Sequence, residues 1–406
     1  MTSPSYFSND VRRCLNGLMV GGGVVLACGA VYAPDRVWAN LLLAAFYLLT
    51  VALGGAVFVA LTYVTGAGWH VAFRRVPEAM ARLLPAAGIA MLLVLAARMS
   101  AYGWPHAGEH HPETFWFKEL WLTPTFWMVR AVVYVALWIL LAGRLVARSQ
   151  KQDVSGDPAI TAGNTRLSAL FLIVYAVTFS LASVDWIMAL EPMWFSTMWG
   201  VYNFAGMIQT ALAVVIILGL LLRRHGQPLH GVFNNDHLHD LGKLLLGFSC
   251  FWMYIWFSQY MLIWYTNIPE ETSYFISRTK GPWAPVVVLS IVLNWIVPFI
   301  VLLPKPAKRS GAVMMRVAVV VLIGRWVDLY LMVMPSLMTD GGTSGIRQRI
   351  FPQTISAVPD FAIWEVAALC LLVGVAGRLL LRSFASASPI PGKDPYLKES
   401  LHYHAG

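Results

Sequence analysis

Charged residues are scarce in this chain: they form 12% of its 406 residues, while hydrophobic residues form 58%. Soluble globular domains carry about 25% charged residues. Half of that proportion is too little to cover a surface that faces water, which excludes an ordinary soluble protein. The deficit of charge therefore predicts that most of the chain lies in or against lipid.

Cysteine and histidine are also limited, and their positions exclude two kinds of site. The four cysteines lie far apart in the sequence, so they predict small buried side chains and not a disulfide framework or a metal motif. None of the ten histidines lies inside a long apolar run. Because a membrane b-type cytochrome ligates haem iron through histidines within its helices, we expect no redox metal bound by this chain.

What the chain does contain is a series of long apolar runs. A transmembrane helix needs about 20 such residues. Ten candidate spans, numbered 1–10 in chain order, cover residues 15–33, 38–65, 83–102, 122–147, 166–190, 197–222, 240–266, 284–303, 312–336 and 361–384. The sequence predicts an all-α integral membrane protein with about ten transmembrane helices and no separate soluble domain.

The positive charges orient this map. Of the 29 Lys and Arg residues, 20 fall on one side, six on the other and three within spans. Cytoplasmic loops are enriched in Lys and Arg, so the bias places both termini in the cytoplasm. The net charge of +9 is therefore an orientation signal, and we expect the lipid bilayer and no nucleic acid as a partner.

Span 1 has an alternative interpretation. It follows Arg12 and Arg13 and ends at Ala33, and a cleaved signal peptide has the same pattern. A retained first helix is the simpler interpretation, because it completes an even number of spans that agrees with the charge bias.

The three arginines within the spans are accompanied by carboxylates. Charges in mid-membrane cost about 2.5–3.5 kcal/mol each, so they are usually paired and often functional. In the first half of the chain, Arg98 and Arg130 share the outer third of the membrane with Asp185 and Glu191.

The second half has a similar set. Arg325 and Asp328 have the i, i+3 spacing that lets them pair on one face of span 9, near mid-membrane. Glu365 lies about one turn into span 10 from the outside.

Two interpretations of these charges stay open. One is a polar path or pocket that opens outward and carries protons or holds a polar headgroup, since an incompletely compensated buried carboxylate exchanges protons readily. The other is a set of neutral ion pairs that fix the helix register. The sequence predicts Asp185, Glu191, Asp328 and Glu365 as proton-path residues and Arg98, Arg130 and Arg325 as their ion-pair partners.

A further polar group opens span 7 on the predicted cytoplasmic side. It consists of His237, His239 and Asp240, which we predict as a proton entry. The alternative is a simple helix start with an acidic first turn.

A weak internal repeat suggests how the spans are grouped. Residues 112–117 (PETFWF) resemble residues 269–275 (PEETSYF), and the Val-Asp pair at 184–185 resembles the pair at 327–328. Both keep an offset of four spans, so spans 2–5 and 6–9 are predicted as two parallel four-helix bundles. The predicted domains are 1–37, an N-terminal transmembrane helix; 38–195 and 196–337, the two bundles; and 338–406, the outer loop, tenth helix and cytoplasmic tail.

Two segments carry a resemblance to a known family. Residues 252–260 (WMYIWFSQY) continue into 263–272 (IWYTNIPEET), and residues 183–192 (SVDWIMALEP) are followed by WFST. These segments resemble the ActF-type membrane subunits of alternative complex III, a bacterial quinol:electron-acceptor oxidoreductase. Such subunits are divergent members of the NrfD-like family, and the resemblance extends over essentially all ten spans.

The resemblance implies a function and a set of partners. The chain is expected in the bacterial inner membrane, beside the NrfD-like ActC subunit, an iron–sulfur protein, and multihaem and monohaem cytochromes c. Haem c and the iron–sulfur clusters belong to those partners, and the resemblance leaves open whether this chain binds quinone or menaquinone. We expect a contribution to quinone interaction or proton translocation, and no catalysis by this chain alone.

Two other functions stay open. A secondary transporter also fits repeated bundles, although no span is plainly interrupted. A purely structural anchoring subunit fits if every intramembrane charge serves only to fix helix packing.

Overall fold

The computed structural model describes residues 8–99, 102, 120–191, 194–337, 359 and 361–404. Ten helices in this part of the chain are long and apolar enough to cross a membrane, which confirms the predicted all-α membrane fold. Their bounds, in the order of spans 1–10, are Asn9–Tyr32, Pro34–Val64, Arg75–Ala97, Pro124–Ser155, Ala159–Leu190, Trp199–Leu222, Asn235–Thr266, Gly281–Leu302, Gly311–Leu337 and Ile363–Ala385. We call the end of the molecule that holds both termini the terminal end and the opposite one the far end.

Three spans are not continuous α-helices. Span 3 consists of Arg75–Ala81 and Leu84–Ala97. Span 5 is an α-helix over Ala159–Trp186 that is followed by a 3-10 turn, Met188–Leu190. Span 8 contains a π-helical turn, Val292–Ile296, between the α-helices Ala284–Ile291 and Val297–Leu302. Shorter α-helices outside the spans are Pro269–Thr279 at the far end and Lys305–Arg309 and Leu397–Leu401 at the terminal end.

The helices extend beyond the predicted apolar runs at the terminal end. Span 7 begins at Asn235, five residues early, because the Asn234 side chain accepts hydrogen bonds from the backbone of Asp236 and His237, both at 2.9 Å. Span 4 continues to Ser155 and stops at Gly156, whose φ of 68° is left-handed. Caps fix helix ends, whereas hydropathy marks only the part of a helix that lies in lipid.

Span 2 lies at the centre of the molecule, and its most apolar stretch is entirely buried. Two glycines let other helices approach it closely. A Cβ on Gly54 would lie 2.5 Å from Cβ of Ala211 in span 6, and one on Gly55 would lie 2.5 Å from Cβ of Met80 in span 3. Small residues at such crossings are the usual means of close helix packing in membranes.

The packing of the other spans follows the predicted grouping. Spans 2–5 pack side by side, as do spans 6–9, and spans 1 and 10 pair with each other and against span 2. Span 2 also packs against spans 6 and 9, which joins the two bundles. The predicted domain boundaries stay a prediction, and residues 112–117 of the internal repeat lie outside the described residues.

The tail after span 10 folds back over the terminal end. Asp394 lies 2.7 Å from Arg74 in an ion pair whose two side chains are almost fully buried. The Ser400 hydroxyl donates to the carbonyl of Trp69 at 2.6 Å and accepts from the backbone of Ala72 at 2.9 Å. The tail is therefore part of the folded body.

Candidate functional site

Asp185 lies in a closed ion pair between spans 4 and 5. Arg130 approaches it with two nitrogens, Nε at 3.2 Å and Nη2 at 3.0 Å. Trp121 Nε1 donates to the same carboxylate at 2.9 Å, and the Tyr134 hydroxyl lies at 3.4 Å. Both carboxylate oxygens thus have donors, which favours a structural role for this predicted proton-path residue.

The Arg130 guanidinium is enclosed on its other side. It lies 3.8 Å above the ring of Trp121 and 4.6 Å from the ring of Phe126, close enough for cation–π attraction. Its Nη1 also donates to the Trp121 carbonyl at 2.7 Å. The pair is thereby shielded from lipid.

Arg98, the other predicted arginine of the first half, forms an ion pair with Asp35 at the start of span 2. Both side chains are partly exposed. Arg98 therefore pairs with neither Asp185 nor Glu191, contrary to its predicted role as an ion-pair partner of these carboxylates.

Glu365 is also fully paired. Arg36 donates to it from Nε at 2.8 Å and from Nη2 at 3.1 Å, and Asn40 Nδ2 donates at 2.9 Å. The backbone N–H of Ala362 donates at 2.9 Å, so Glu365 also caps its own helix. These contacts fasten the start of span 10 to span 2.

Asp328 lies in the middle of span 9 and pairs with Arg325, as the i, i+3 spacing predicted. The Tyr202 hydroxyl of span 6 donates to its other oxygen. Arg325 Nη2 donates to Oδ1 of Asn203 at 3.0 Å. A Cβ on Gly206 would lie 2.4 Å from Arg325 Nη1, so glycine at this position leaves room for the guanidinium.

Arg278, on the far-end helix Pro269–Thr279, was not predicted as a site residue. Its Nε donates to the Leu331 carbonyl at 2.8 Å and its Nη2 to Ser336 Oγ at 2.9 Å. Pro335 has no N–H, so it cannot satisfy the Leu331 carbonyl four residues earlier. A proline within an apolar span is the sequence signal that could have pointed to such a partner.

Glu191 completes this far-end group. Its Oε1 accepts from Ser336 Oγ at 2.8 Å and lies 3.3 Å from Arg278 Nη2. Arg278 also lies 3.6 Å above the ring of Tyr274. Burial, more than any nearby charge, raises the pKa of Tyr274 to about 12, so its hydroxyl stays protonated.

A cavity lies between the Arg278 group and Asp328. Its polar lining includes Tyr202, Gln259, Tyr274, Arg278, Ser290 and Asp328, and the rest of its wall is largely aromatic and aliphatic. The space open to the centre of a water molecule is about 30 Å³. Since one water needs about 10–15 Å³ by that measure, the cavity has room for two or three waters.

Polar groups continue from Asp328 towards the terminal end. Gln209 Nε2 donates to Ser249 Oγ at 2.8 Å and to the Asn294 carbonyl at 2.7 Å. Asn294 Nδ2 donates to the Ser290 carbonyl at 2.9 Å. Residue 294 lies in the π-helical turn of span 8, and such turns frequently occur at functional sites.

His237 takes part in the cap of span 7. Its Nδ1 accepts from the backbone N–H of Asn234 at 3.1 Å, and its Nε2 lies 3.0 Å from the carbonyl of Ser400. With one ring nitrogen accepting and the other facing a carbonyl, the partners fit a neutral imidazole. This arrangement favours the helix-start interpretation for His237.

The other two members of this group are covered as well. His239 is 4% exposed. Asp240 forms an ion pair with Lys243 and accepts a hydrogen bond from the Tyr403 hydroxyl of the tail. Burial, followed by that bond to Asp240, raises the pKa of Tyr403 to about 12. The tail thus contacts this group through Tyr403.

Another charged cluster at the terminal end was not predicted. The Glu78 carboxylate lies 3.4 Å from Arg74, pairs with Arg75 and accepts from Ser149 at 2.5 Å. Arg75 also pairs with Asp153 of span 4. Arg74 and Arg75 precede the predicted apolar run of span 3, where hydropathy gives no sign of burial, yet both side chains are buried.

The described residues contain no group of three or more His, Cys, Asp or Glu side chains that could hold a metal ion. The expected absence of a redox metal stays a prediction. No protein-family model matches the chain, and no curated protein matches it. The resemblance to the ActF-type subunits therefore rests on the sequence motifs alone.

Proposed function

We propose that this chain is a membrane subunit of a quinol:cytochrome c oxidoreductase of the alternative complex III type, and that it moves protons within its second bundle. The resemblance of spans 5 and 7 supports the class of complex. Asp328 supports the role, because it is a buried mid-membrane carboxylate that borders a cavity with room for water.

Asp328 differs from the other predicted carboxylates in its surroundings. Like Asp185 and Glu365, Asp328 is paired, with Arg325 and the Tyr202 hydroxyl among its donors. However, it borders the cavity that reaches towards Arg278, whose partner Glu191 is one-third exposed at the far end. The proposed path therefore runs from Glu191 to Asp328.

The elementary step is a relay in which a cavity water passes a proton to the Asp328 carboxylate as it takes one up from the Glu191 side, so the water itself is unchanged. Protonation removes the negative charge that holds Arg325, while Arg325 keeps its bond to Asn203. Release of the proton restores the ion pair. Moving a charge through the whole membrane potential is worth about 2.3 kcal/mol per 100 mV. A proton that reaches Asp328 at mid-depth crosses part of that potential, so its transfer involves part of that energy.

The other parts of the proposal come from the family resemblance. Electrons leave a quinol through haem c and iron–sulfur clusters in partner subunits, and this chain contributes helices, carboxylates and a docking surface. The complex lies in the bacterial inner membrane, with the terminal end in the cytoplasm. Binding of quinone or menaquinone by this chain is a separate proposal, which rests on the family resemblance and not on the contacts in the structure.

The first test is co-purification. A tagged chain is expected to bring down multihaem and monohaem cytochromes c, an iron–sulfur protein and a second NrfD-like subunit. A lone oligomer without these partners would contradict the class of complex.

The second test compares two variants in the assembled complex, reconstituted in vesicles. Asp328→Asn is expected to lower the number of protons moved per quinol oxidised, whereas Asp185→Asn, a matched change in the first bundle, is expected to leave that ratio unchanged. Equal ratios in the wild type and both variants would contradict the proton path and favour a structural subunit. A purified single chain that moves a solute across vesicles would favour a transporter.

A further inference from the structure

Several buried polar atoms in the second bundle have no hydrogen-bond partner among the described residues, and three of them lie on spans 6, 8 and 9. These three are Arg325 Nε, Gln209 Oε1 and Asn294 Oδ1. Each of these side chains is at most 1% exposed. An unpaired buried polar atom costs about 1–3 kcal/mol, and it costs more in lipid, where no bulk water replaces the partner.

Span 9 packs against spans 6 and 8, which places these side chains on neighbouring helices. Arg325 lies over Gly206, and Gln209 follows one turn later on the same face of span 6. Gln209 Nε2 donates to the Asn294 carbonyl at 2.7 Å. Asn294 Oδ1 lies against Gly324, the residue before Arg325, where an added Cβ would come within 2.9 Å of it.

The chemistry of the three atoms selects the ligand. Arg325 Nε carries one donor hydrogen, and the two amide oxygens are acceptors. A cation is disfavoured by the adjacent guanidinium, and an anion is disfavoured by the two carbonyl oxygens. A water molecule accepts one hydrogen bond and donates two, which satisfies this set.

We propose that Arg325, Gln209 and Asn294 form a buried water site in the middle of the membrane. Buried waters typically make about three hydrogen bonds to polar groups that are otherwise unsatisfied. The π-helical turn of span 8 supplies the Asn294 acceptor to this site. The site continues the polar groups around Asp328 as far as Ser249. It is inferred from helix packing and does not depend on the proposed function.

An experimental structure of the full chain, in its complex or alone in detergent, tests the site at a resolution where ordered water is visible. The expected result is a density peak about 2.7–3.2 Å from all three atoms. The absence of a peak would overturn the proposal. So would rotated amides that let the three atoms bond directly to protein groups.

A variant provides a second measurement that needs no quinol turnover. In lipid, magnetisation transfer from water to arginine Nε–H groups, followed by solid-state NMR, is expected to give a signal at Arg325. Asn294→Leu, which is similar in volume but lacks Oδ1, is expected to weaken that signal strongly. Arg130, whose Nε donates directly to Asp185, is the internal control and should not change. A wild-type protein without the Arg325 signal would also overturn the site.

Discussion

Arg278 Nε donates a hydrogen bond of 2.8 Å to the carbonyl oxygen of Leu331. In an uninterrupted helix that carbonyl would accept from residue 335, but Pro335 has no N–H. Arg278 therefore satisfies a backbone group that span 9 leaves open. A helix that lies outside the spans thus completes the hydrogen bonding of a helix within them.

The same relation occurs in span 8. Pro298 has no N–H for the carbonyl of Asn294, and Gln209 Nε2 donates to that carbonyl at 2.7 Å. Backbone groups freed by proline within a membrane must be satisfied by neighbouring side chains or by water. Pro298 and Pro335 both lie near the polar groups around Asp328. The carbonyl groups that these prolines leave without a backbone donor are therefore part of the candidate site.

The role of Arg278 can be measured by combining a substitution at Arg278 with one at Pro335. Arg278→Leu is expected to lower the free energy of unfolding by at least about 1–3 kcal/mol, because it leaves the Leu331 carbonyl unpaired. In a Pro335→Ala background the loss should be smaller, because alanine at this position supplies its own N–H to that carbonyl. The measurement is the apparent Tm of the four proteins in one detergent. Equal losses in both backgrounds would contradict the explanation.

Gly206 provides a steric test of the Arg325 site. Gly206→Ala places a methyl group 2.4 Å from Arg325 Nη1, so we expect a lower Tm and a disturbed Arg325–Asp328 pair. Gly247→Ala in span 7 is the matched control, because nothing lies within 4 Å of its added Cβ. There, alanine is expected to be neutral or to stabilise the helix by up to about 1 kcal/mol. Identical effects of the two changes would contradict the close approach at Gly206.

The Arg130–Asp185 pair is expected to behave as a structural unit. Removing one partner of a buried ion pair costs about 3–5 kcal/mol, because the other charge is left uncompensated. Asp185→Leu should therefore destabilise strongly, and adding Arg130→Met should recover much of the loss. The measurement is a double-mutant cycle of thermal unfolding. Simple additivity of the two losses would show that the pair is not coupled.

The position of each intramembrane charge along its helix followed from the sequence, but most of the partners did not. Spacing of i, i+3 correctly predicted that Arg325 pairs with Asp328, since both lie on one helix. Glu365 pairs with Arg36, which lies 329 residues away in the chain. Hydropathy gives the depth of a residue in the membrane, but not the side of the helix it faces or the helix beside it.

The terminal end was the least predictable region. Its helices begin in polar sequence, where no apolar period marks them, and its contacts involve the tail. The pairing of Arg74 with Asp394 depends on a fold-back that no local pattern encodes. The spans could be predicted because a helix in lipid must be apolar over its whole length. The terminal end could not be predicted in this way, because individual ion pairs stabilise it.

The tail is expected to contribute to stability through Asp394. Asp394→Asn removes the charge that lies 2.7 Å from Arg74 and leaves that buried guanidinium with Glu78 at 3.4 Å. We expect a clear decrease in apparent Tm, by a mechanism that costs about 3–5 kcal/mol in other buried pairs. Lys398→Ala, an exposed change on the same tail, is the control and should stay within about 0.5 kcal/mol. A variant with the wild-type Tm would show that the tail does not hold the terminal end together.

The stability of the protein should decrease in mild acid because of His70. Burial, and after it the nearby Arg74 guanidinium, hold the pKa of this imidazole well below its ordinary value of 6.5. As the pH falls through 6.5, His70 takes up a proton in the unfolded chain but not in the folded one. The unfolded state is thereby favoured, so the contribution of His70 is complete above that pH and is lost as the pH falls below it.

A phenylalanine variant isolates this contribution from those of the other histidines. His70 packs against the rings of Phe58, Trp69 and Phe73, so His70→Phe keeps an aromatic ring among aromatic neighbours. The apparent Tm of both proteins is measured between about pH 5 and pH 8, on either side of the ordinary histidine pKa. We expect a smaller loss of Tm on acidification in the variant than in the wild type. Parallel curves would mean that His70 takes up its proton equally in both states, and the explanation by burial would then be wrong.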